Sequence, residues 1–163
     1  MKFKLGLILF VITIYSCIPS AFLSSNSTCD NKKASPVYLS ISGSISQKEV
    51  VFRQKLSSAL SIRGYFVVDN FQQSDYFLLI NFDSNNKKQP IKNYDEDWIS
   101  LKFSLIESKQ IFSHSKLQFD RKDAIWVCRM ELGALEFFKY QDNIADIISK
   151  TICKSYFGKK III

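Results

Sequence analysis

The sequence has few of the residues on which recognisable catalytic and metal sites depend. It contains one His and four Cys, and no two Cys form a C-x-x-C pair, so no zinc-ligand spacing is present. Glycine and proline occur only five and three times, which argues against a turn-dense, many-stranded barrel. A phosphate-binding glycine loop and a G-x-S-x-G element are also missing. These absences predict a protein that is not an enzyme and holds no metal or cofactor.

The isolated reactive side chains agree with that prediction. His114 lies alone in a predicted strand, and Cys128 has no base near it in the sequence. Asp95, Glu96 and Asp97 form an acidic cluster in a predicted loop, where such a charge run is usually solvated. We therefore assign no catalytic role to any of them.

The composition fits one soluble domain with a basic surface. The chain has 163 residues, 47% of them hydrophobic and 23% charged, which is too apolar for a disordered chain. Its formal net charge of +7 favours an anionic partner such as nucleic acid, an acidic membrane surface or a phosphorylated lipid.

The N-terminal segment predicts export. Lys2 and Lys4 precede an uncharged apolar run from Leu5 to Tyr15, which is too short to span a bilayer but suits a signal-peptide core. Residues 1–16 are therefore assigned as a signal peptide. An exported protein does not routinely meet nucleic acid, so that partner is disfavoured.

The end of the signal segment is similar to a bacterial lipobox. In Ile14-Tyr15-Ser16-Cys17, an aliphatic residue stands three positions before Cys17 and a small residue directly before it. Lipidation of Cys17 would anchor the protein, because several acyl chains hold a protein stably at a membrane. The alternative is ordinary cleavage near Ala21, with loss of Cys17. Residues 17–35, rich in Ser and Asn, are predicted to be a lipidated tether, and disulfide pairing among Cys29, Cys128 and Cys153 stays open.

Residues 36–158 are predicted to form a single α+β domain, and residues 159–163 a C-terminal tail. A strand from Val37 to Ile41 precedes a helix that begins at the Ser46/Glu49 capping box and ends at Gly64. One apolar stripe on this helix comprises Phe52, Leu56, Ala59 and Leu60.

The rest of the domain is predicted as four strands and a long helix. The strands cover Tyr65 to Val68, Asp75 to Phe82, the alternating run from Ile99 to Leu105, and its hairpin partner from Ile111 to Phe119. Helical spacing of apolar residues from about Leu132 predicts a helix ending near Gly158. The order β-α-β-β-β-β-α predicts two helices on a four- to five-stranded, largely antiparallel sheet.

This pattern resembles the LPS-assembly outer-membrane lipoproteins (LptE-like). The resemblance is carried by Cys17 with its tether, the helix ending "LSIRGYFVVD", a hairpin, and the closing segment "ALEFFKYQDNIADIISKTI". It implies a lipid-anchored protein on the periplasmic face of the outer membrane. Such a protein plugs a large β-barrel partner, helps that barrel assemble, and assists lipopolysaccharide delivery to the outer leaflet.

The resemblance also implies where lipopolysaccharide would bind. Lys116 falls where the family often carries a basic strand residue, and Lys102, Lys109 and Arg121 are candidate neighbours. Their cationic groups would pair with lipid A phosphates, although each also suits a solubilising surface position. Two alternatives remain open: a cell-envelope or secretion-apparatus scaffold lipoprotein without a lipopolysaccharide role, and a secreted, non-lipidated effector or enzyme of unknown chemistry.

Overall fold

One mixed β-sheet with helices on one face organises the chain in a computed structural model, which describes residues 19–29, 35–42, 47–84, 98–109 and 123–163. The elements, in chain order, are β1 Ser20–Ser27, β2 Pro36–Ser42, α1 Gln47–Ile62, β3 Phe66–Val68, β4 Tyr76–Ser84, β5 Trp98–Glu107, β6 Ala124–Gly133, α2 Ala134–Lys139, α3 Gln141–Thr151 and β7 Tyr156–Ile162. None of the helices in the described ranges is long and apolar enough to cross a membrane.

The described strands form a seven-stranded sheet in the order β3-β2-β4-β5-β6-β1-β7. Strand β2 is parallel to both β3 and β4, and every other neighbouring pair is antiparallel. Helix α1 forms the crossover that a parallel β2–β3 pair requires. The prediction of two helices on a four- to five-stranded, largely antiparallel sheet is therefore wrong: the sheet is larger and mixed, and it carries three helices.

Strand β1 lies within the segment for which the sequence predicted a tether. Ala21 and Leu23 are 0% and 2% exposed, and Ser25 is also buried, so alternate residues face the core. The intervening residues are exposed or nearly so. Serine and asparagine are poor strand formers, but pairing with β6 on one side and β7 on the other outweighs that preference.

The prediction of one long C-terminal helix is also wrong. Leu132 belongs to β6 and Gly158 to β7, and the helical part between them is divided into α2 and α3 at Tyr140. Four alternate side chains of β6 are fully buried: Trp126, Cys128, Met130 and Leu132. This period of two identifies a strand whose backbone bonds to neighbours on both sides.

The first helix and the alternating strand agree with the sequence. Phe52, Leu56 and Leu60 are 0% exposed, and Gly64 follows α1 with a φ of +85°, the left-handed conformation that ends helices. In β5, Leu101, Phe103 and Leu105 are buried. Ser46 lies outside the described residues. So does the predicted hairpin partner from Ile111 to Phe119, and both edges of β5 are occupied, by β4 and β6.

The core lies between the sheet and the helices. The ring of Phe52 on α1 lies 6.0, 6.4 and 5.2 Å from the rings of Phe82, Phe103 and Phe137, respectively. The opposite side of the sheet, turned away from the helices, is called the distal face below.

Candidate functional site

Two ion pairs and a hydrogen bond cross the distal face. Lys102 Nζ lies 2.8 Å from Asp83 Oδ2, and Arg129 Nη2 lies 2.6 Å from Glu131 Oε1. Arg129 Nε also donates a hydrogen bond of 3.1 Å to Ser100 Oγ. The register places the cations Lys102 and Arg129 directly opposite one another, so each needs an acid in the adjacent row. Lys102, predicted to bind lipopolysaccharide, is thus already paired with a carboxylate.

The distal face is apolar near the start of β4 and the end of β5. Phe77, Leu79 and Ile106 are buried there, and the ring of Phe77 meets that of Tyr38 at 5.6 Å in an edge-on contact. The polar network therefore occupies only part of this face.

Lys109 is the other predicted lipopolysaccharide-binding residue that the structure describes. Its side chain is 78% exposed and its Nζ lies 2.8 Å from Glu107 Oε2. The hydrogen bond and the negative charge of Glu107 raise the pKa of Lys109. Lys116, Arg121 and Cys17 lie outside the described residues, so the grouping of the four cations as a site stays a prediction.

A disulfide joins Cys29 to Cys153, with a Cα–Cα distance of 5.4 Å and a sequence separation of 124 residues. It connects the end of β1 to the segment between α3 and β7. Around it, Ser25 Oγ and Trp126 Nε1 donate hydrogen bonds of 2.7 and 3.2 Å to the carbonyl oxygen of Lys154. This answers the pairing question that the sequence left open.

Cys128 is the remaining cysteine of the described part, and it is buried and unpaired. Burial raises the pKa of its thiol to about 12, a shift that a hydrogen bond with Thr151 opposes. The thiol is therefore protonated at neutral pH, and a thiolate nucleophile is not available there.

The described residues offer one small pocket as a candidate binding site. A pocket of about 220 Å³ is lined by Gln47, Val51, Phe138 and Gln141, between α1 and the C-terminal helices. It is smaller than typical small-molecule sites, which begin at about 300 Å³. Among the residues that the structure describes, no three His, Cys, Asp or Glu side chains are grouped as a metal site would require.

Comparison with known proteins identifies a fold but no family. No family model matches the chain, and no curated protein matches it. A variant PelC dodecamer from Paraburkholderia phytofirmans superposes with a TM-score of 0.52 at 8% identity, over 82% of this chain and 98% of that one. A PDZ domain protein from Parabacteroides distasonis gives a TM-score of 0.52 at 11% identity, over 94% of this chain and 41% of that one.

A third solved structure is less similar. A DUF4136 family protein from Bacteroides thetaiotaomicron gives a TM-score of 0.49 at 10% identity, over 82% of this chain and 97% of that one. None of these three bears the name of an LPS-assembly lipoprotein. The chain therefore shares a fold with PelC and with part of the PDZ domain protein, and the likeness extends no further than the fold.

Proposed function

We propose that this chain is an exported, lipid-anchored protein of the bacterial cell envelope that acts as a binding or scaffold domain. The Cys29–Cys153 disulfide is the observation that carries the proposal, because stable disulfides form in oxidising compartments outside the cytosol. The signal-like segment before Cys17 predicts the same route independently. Neither feature depends on the remote fold likeness.

The position of β1 sets how far a lipid anchor on Cys17 would stand from the sheet. Pro19, which directly precedes β1, accepts a hydrogen bond of 3.2 Å from the backbone N–H of Ile163. Cys17 is two residues away, so its Cα lies within about 7 Å of that of Pro19. An acylated Cys17 would hold the sheet close to the membrane rather than on a long tether.

The first experiment isolates the mature protein from its own membranes. We expect the N-terminal peptide to begin at Cys17 and to carry diacylglycerol and an N-acyl chain by mass spectrometry. An N-terminus near Ala21 would remove the anchor and favour a secreted protein. The native mass of the same sample shows whether the chain acts alone or as a self-assembled scaffold. PelC, which shares the fold, is a dodecamer, so a large homo-oligomer would favour a self-assembled scaffold.

The second candidate is a plug that helps a large outer-membrane β-barrel to assemble and to deliver lipopolysaccharide. The exposed Lys109 is the described feature that favours it, because this ammonium group can reach a phosphate despite its pairing with Glu107. Stoichiometric co-purification with a large β-barrel is the expected result. Charge reversal at Lys116, the residue best placed by the family resemblance, should then weaken lipopolysaccharide binding, and a lipidated chain without a barrel would contradict this candidate.

A further inference from the structure

One end of the distal face carries exposed apolar side chains. Phe22 on β1, Trp98 on β5 and Ile162 on β7 are 48%, 49% and 71% exposed. Ser20 pairs with Ile162, and Trp98 pairs with Gly133. Exposed apolar residues are ordinary when scattered singly, but a group on one face calls for an explanation.

The strand register places these three residues together. Phe22 pairs with Glu131, so Ser20 and Gly133, each two residues further along, belong to the same row. Trp98 and Ile162 therefore lie in one row across β5, β6, β1 and β7, and Phe22 lies in the next row on the same face. Strands in a sheet are about 4.8 Å apart, so the row spans about 14 Å.

A lysine accompanies the apolar group, and two acids border it: Glu131, and Glu136, whose carboxylate fills the space that a side chain at Gly133 would occupy. Lys160 is exposed and pairs directly with Phe22, which places its ammonium group on the same face. Glu131 pairs with Phe22 from β6, the strand on the other side of β1, but its carboxylate forms an ion pair with Arg129. Phe22, Trp98, Lys160 and Ile162 are called the end patch below.

The end patch adjoins the predicted anchor. Ser20 stands in the row of Trp98 and Ile162, Pro19 precedes it, and Cys17 is within about 7 Å of Pro19 by chain length alone. Acyl chains on Cys17 would therefore enter the membrane beside these side chains. Tryptophan at a headgroup boundary and lysine near anionic lipid are the combination found at membrane interfaces.

We propose that the end patch docks on an anionic lipid bilayer, with Trp98, Phe22 and Ile162 in the interface and Lys160 against lipid headgroups. The proposal rests on the lipid anchor proposed above, and it adds an orientation: the strand ends near Pro19 face the membrane. The opposite strand ends, where Phe77 pairs with Ile106, face away from it.

The test uses the mature, full-length protein reconstituted in vesicles of phosphatidylglycerol and phosphatidylcholine that contain a lipid with a quencher in its upper acyl chain. The chain has two tryptophans, and Trp126 is fully buried in the protein core. We expect lipid quenching of wild-type fluorescence and its loss in Trp98→Phe. An absence of quenching in the wild type, with Trp98 open to aqueous acrylamide, would overturn the proposal.

Matched variants separate docking from a change in stability. Ile162→Ser should reduce the quenching. Ile62→Ser should not, because Ile62, although 84% exposed, lies at the end of α1 and outside the end patch. Lys160→Gln should lower the ratio of docked to undocked protein about fivefold on anionic vesicles, since one lysine near such a surface contributes about that much. Lys154→Gln is its control, because Lys154 is also exposed but precedes the start of β7, away from Ile162. Equal effects within either pair would contradict the proposal.

Two further outcomes are informative. If Trp98 is shielded from both quenchers and the protein forms cross-linked oligomers through Phe22 or Ile162, a second copy covers the end patch and the proposal fails. If mass spectrometry shows that Cys17 is not acylated, the proposed anchor fails separately. Flotation of that soluble protein with anionic vesicles would still support the end patch, and absence of flotation would overturn it.

Discussion

Phe52 contributes strongly to the stability of the fold. Its side chain is fully buried and contacts three other phenylalanine rings, so Phe52→Ala removes packing that the surrounding backbone cannot close. We expect a loss of about 3–5 kcal/mol in the free energy of unfolding, measured by urea denaturation. Phe157→Ala is the control, since that ring is 95% exposed, and it should change stability by less than about 0.5 kcal/mol.

Cys128 should make the free energy of unfolding decrease at alkaline pH. Burial raises its pKa from 9.0 to about 12, so the folded state keeps a proton that the unfolded state loses. Its contribution is complete below the unfolded pKa and declines as pH rises from there towards the folded pKa. We expect wild-type unfolding free energy to fall between about pH 9 and pH 10 relative to Cys128→Ala. Parallel pH profiles for the two proteins would contradict this assignment.

Residue identity alone could not establish the pairing of the predicted cations. Lys102 and Lys109 were recognisable as basic residues of a strand and its end. Their partners, Asp83 and Glu107, depend on strand register and on a side-chain contact two residues apart. Likewise, nothing in the sequence near Phe22 indicates Trp98 or Ile162 as neighbours, because the three residues come from strands that are adjacent only after β1 inserts between β6 and β7.

At the scale of elements, α1 and β5 were predictable because their signals are local. In α1, the apolar stripe comprises Phe52, Leu56 and Leu60, and Gly64 follows the helix. Both signals can therefore be read from one short segment of the sequence. Strand β6 was ambiguous because Ile125 and Val127 place apolar residues on both faces, which hides its period of two. Strand β1 was missed because it is rich in serine, and β7 because Gly158 and two lysines interrupt its apolar residues. Both become strands through partners distant in the chain.

Helices α1 and α3 are joined by ion pairs that should be sensitive to acid. Asp146 on α3 bonds to Lys150 and, at 2.8 Å, to Arg63, which follows α1. The hydrogen bonds from Lys150 and Arg63 hold the pKa of Asp146 below its ordinary value. Its contribution is therefore present above that value and is lost as pH falls through the lower, folded pKa.

Asp146→Asn tests this contribution. We expect a decrease of at most about 1 kcal/mol at neutral pH, because the side chains involved are substantially exposed. The difference from wild type should shrink as the carboxylate protonates in acid, as followed by urea denaturation at several pH values. Asp142→Asn is a useful comparison, since Asp142 pairs with Lys55 in the same interface but is 77% exposed. An equal or larger effect there would contradict a special role for Asp146.

At the scale of the whole molecule, the disulfide closes a very long loop. Cys29 and Cys153 are separated by 124 residues, so the bond greatly restricts the unfolded chain. The double variant Cys29→Ser, Cys153→Ser should lose about 2–5 kcal/mol of stability and melt at a lower temperature than the oxidised wild type. Reductant should lower the melting temperature of the wild type alone. Equal melting temperatures for wild type and variant under oxidising conditions would show that the bond does not stabilise the fold.

The insertion of β1 between β6 and β7 has a consequence for the timing of folding. The partners of β1 begin only at Ala124 and Tyr156, so a nascent chain emerging in order cannot complete this half of the sheet until late. Contacts so distant in sequence also slow folding, because the ends of a long loop must meet first. For the export proposed above, this arrangement suits a chain that stays unfolded in a translocation channel and closes its sheet only afterwards, where oxidants can form the Cys29–Cys153 bond.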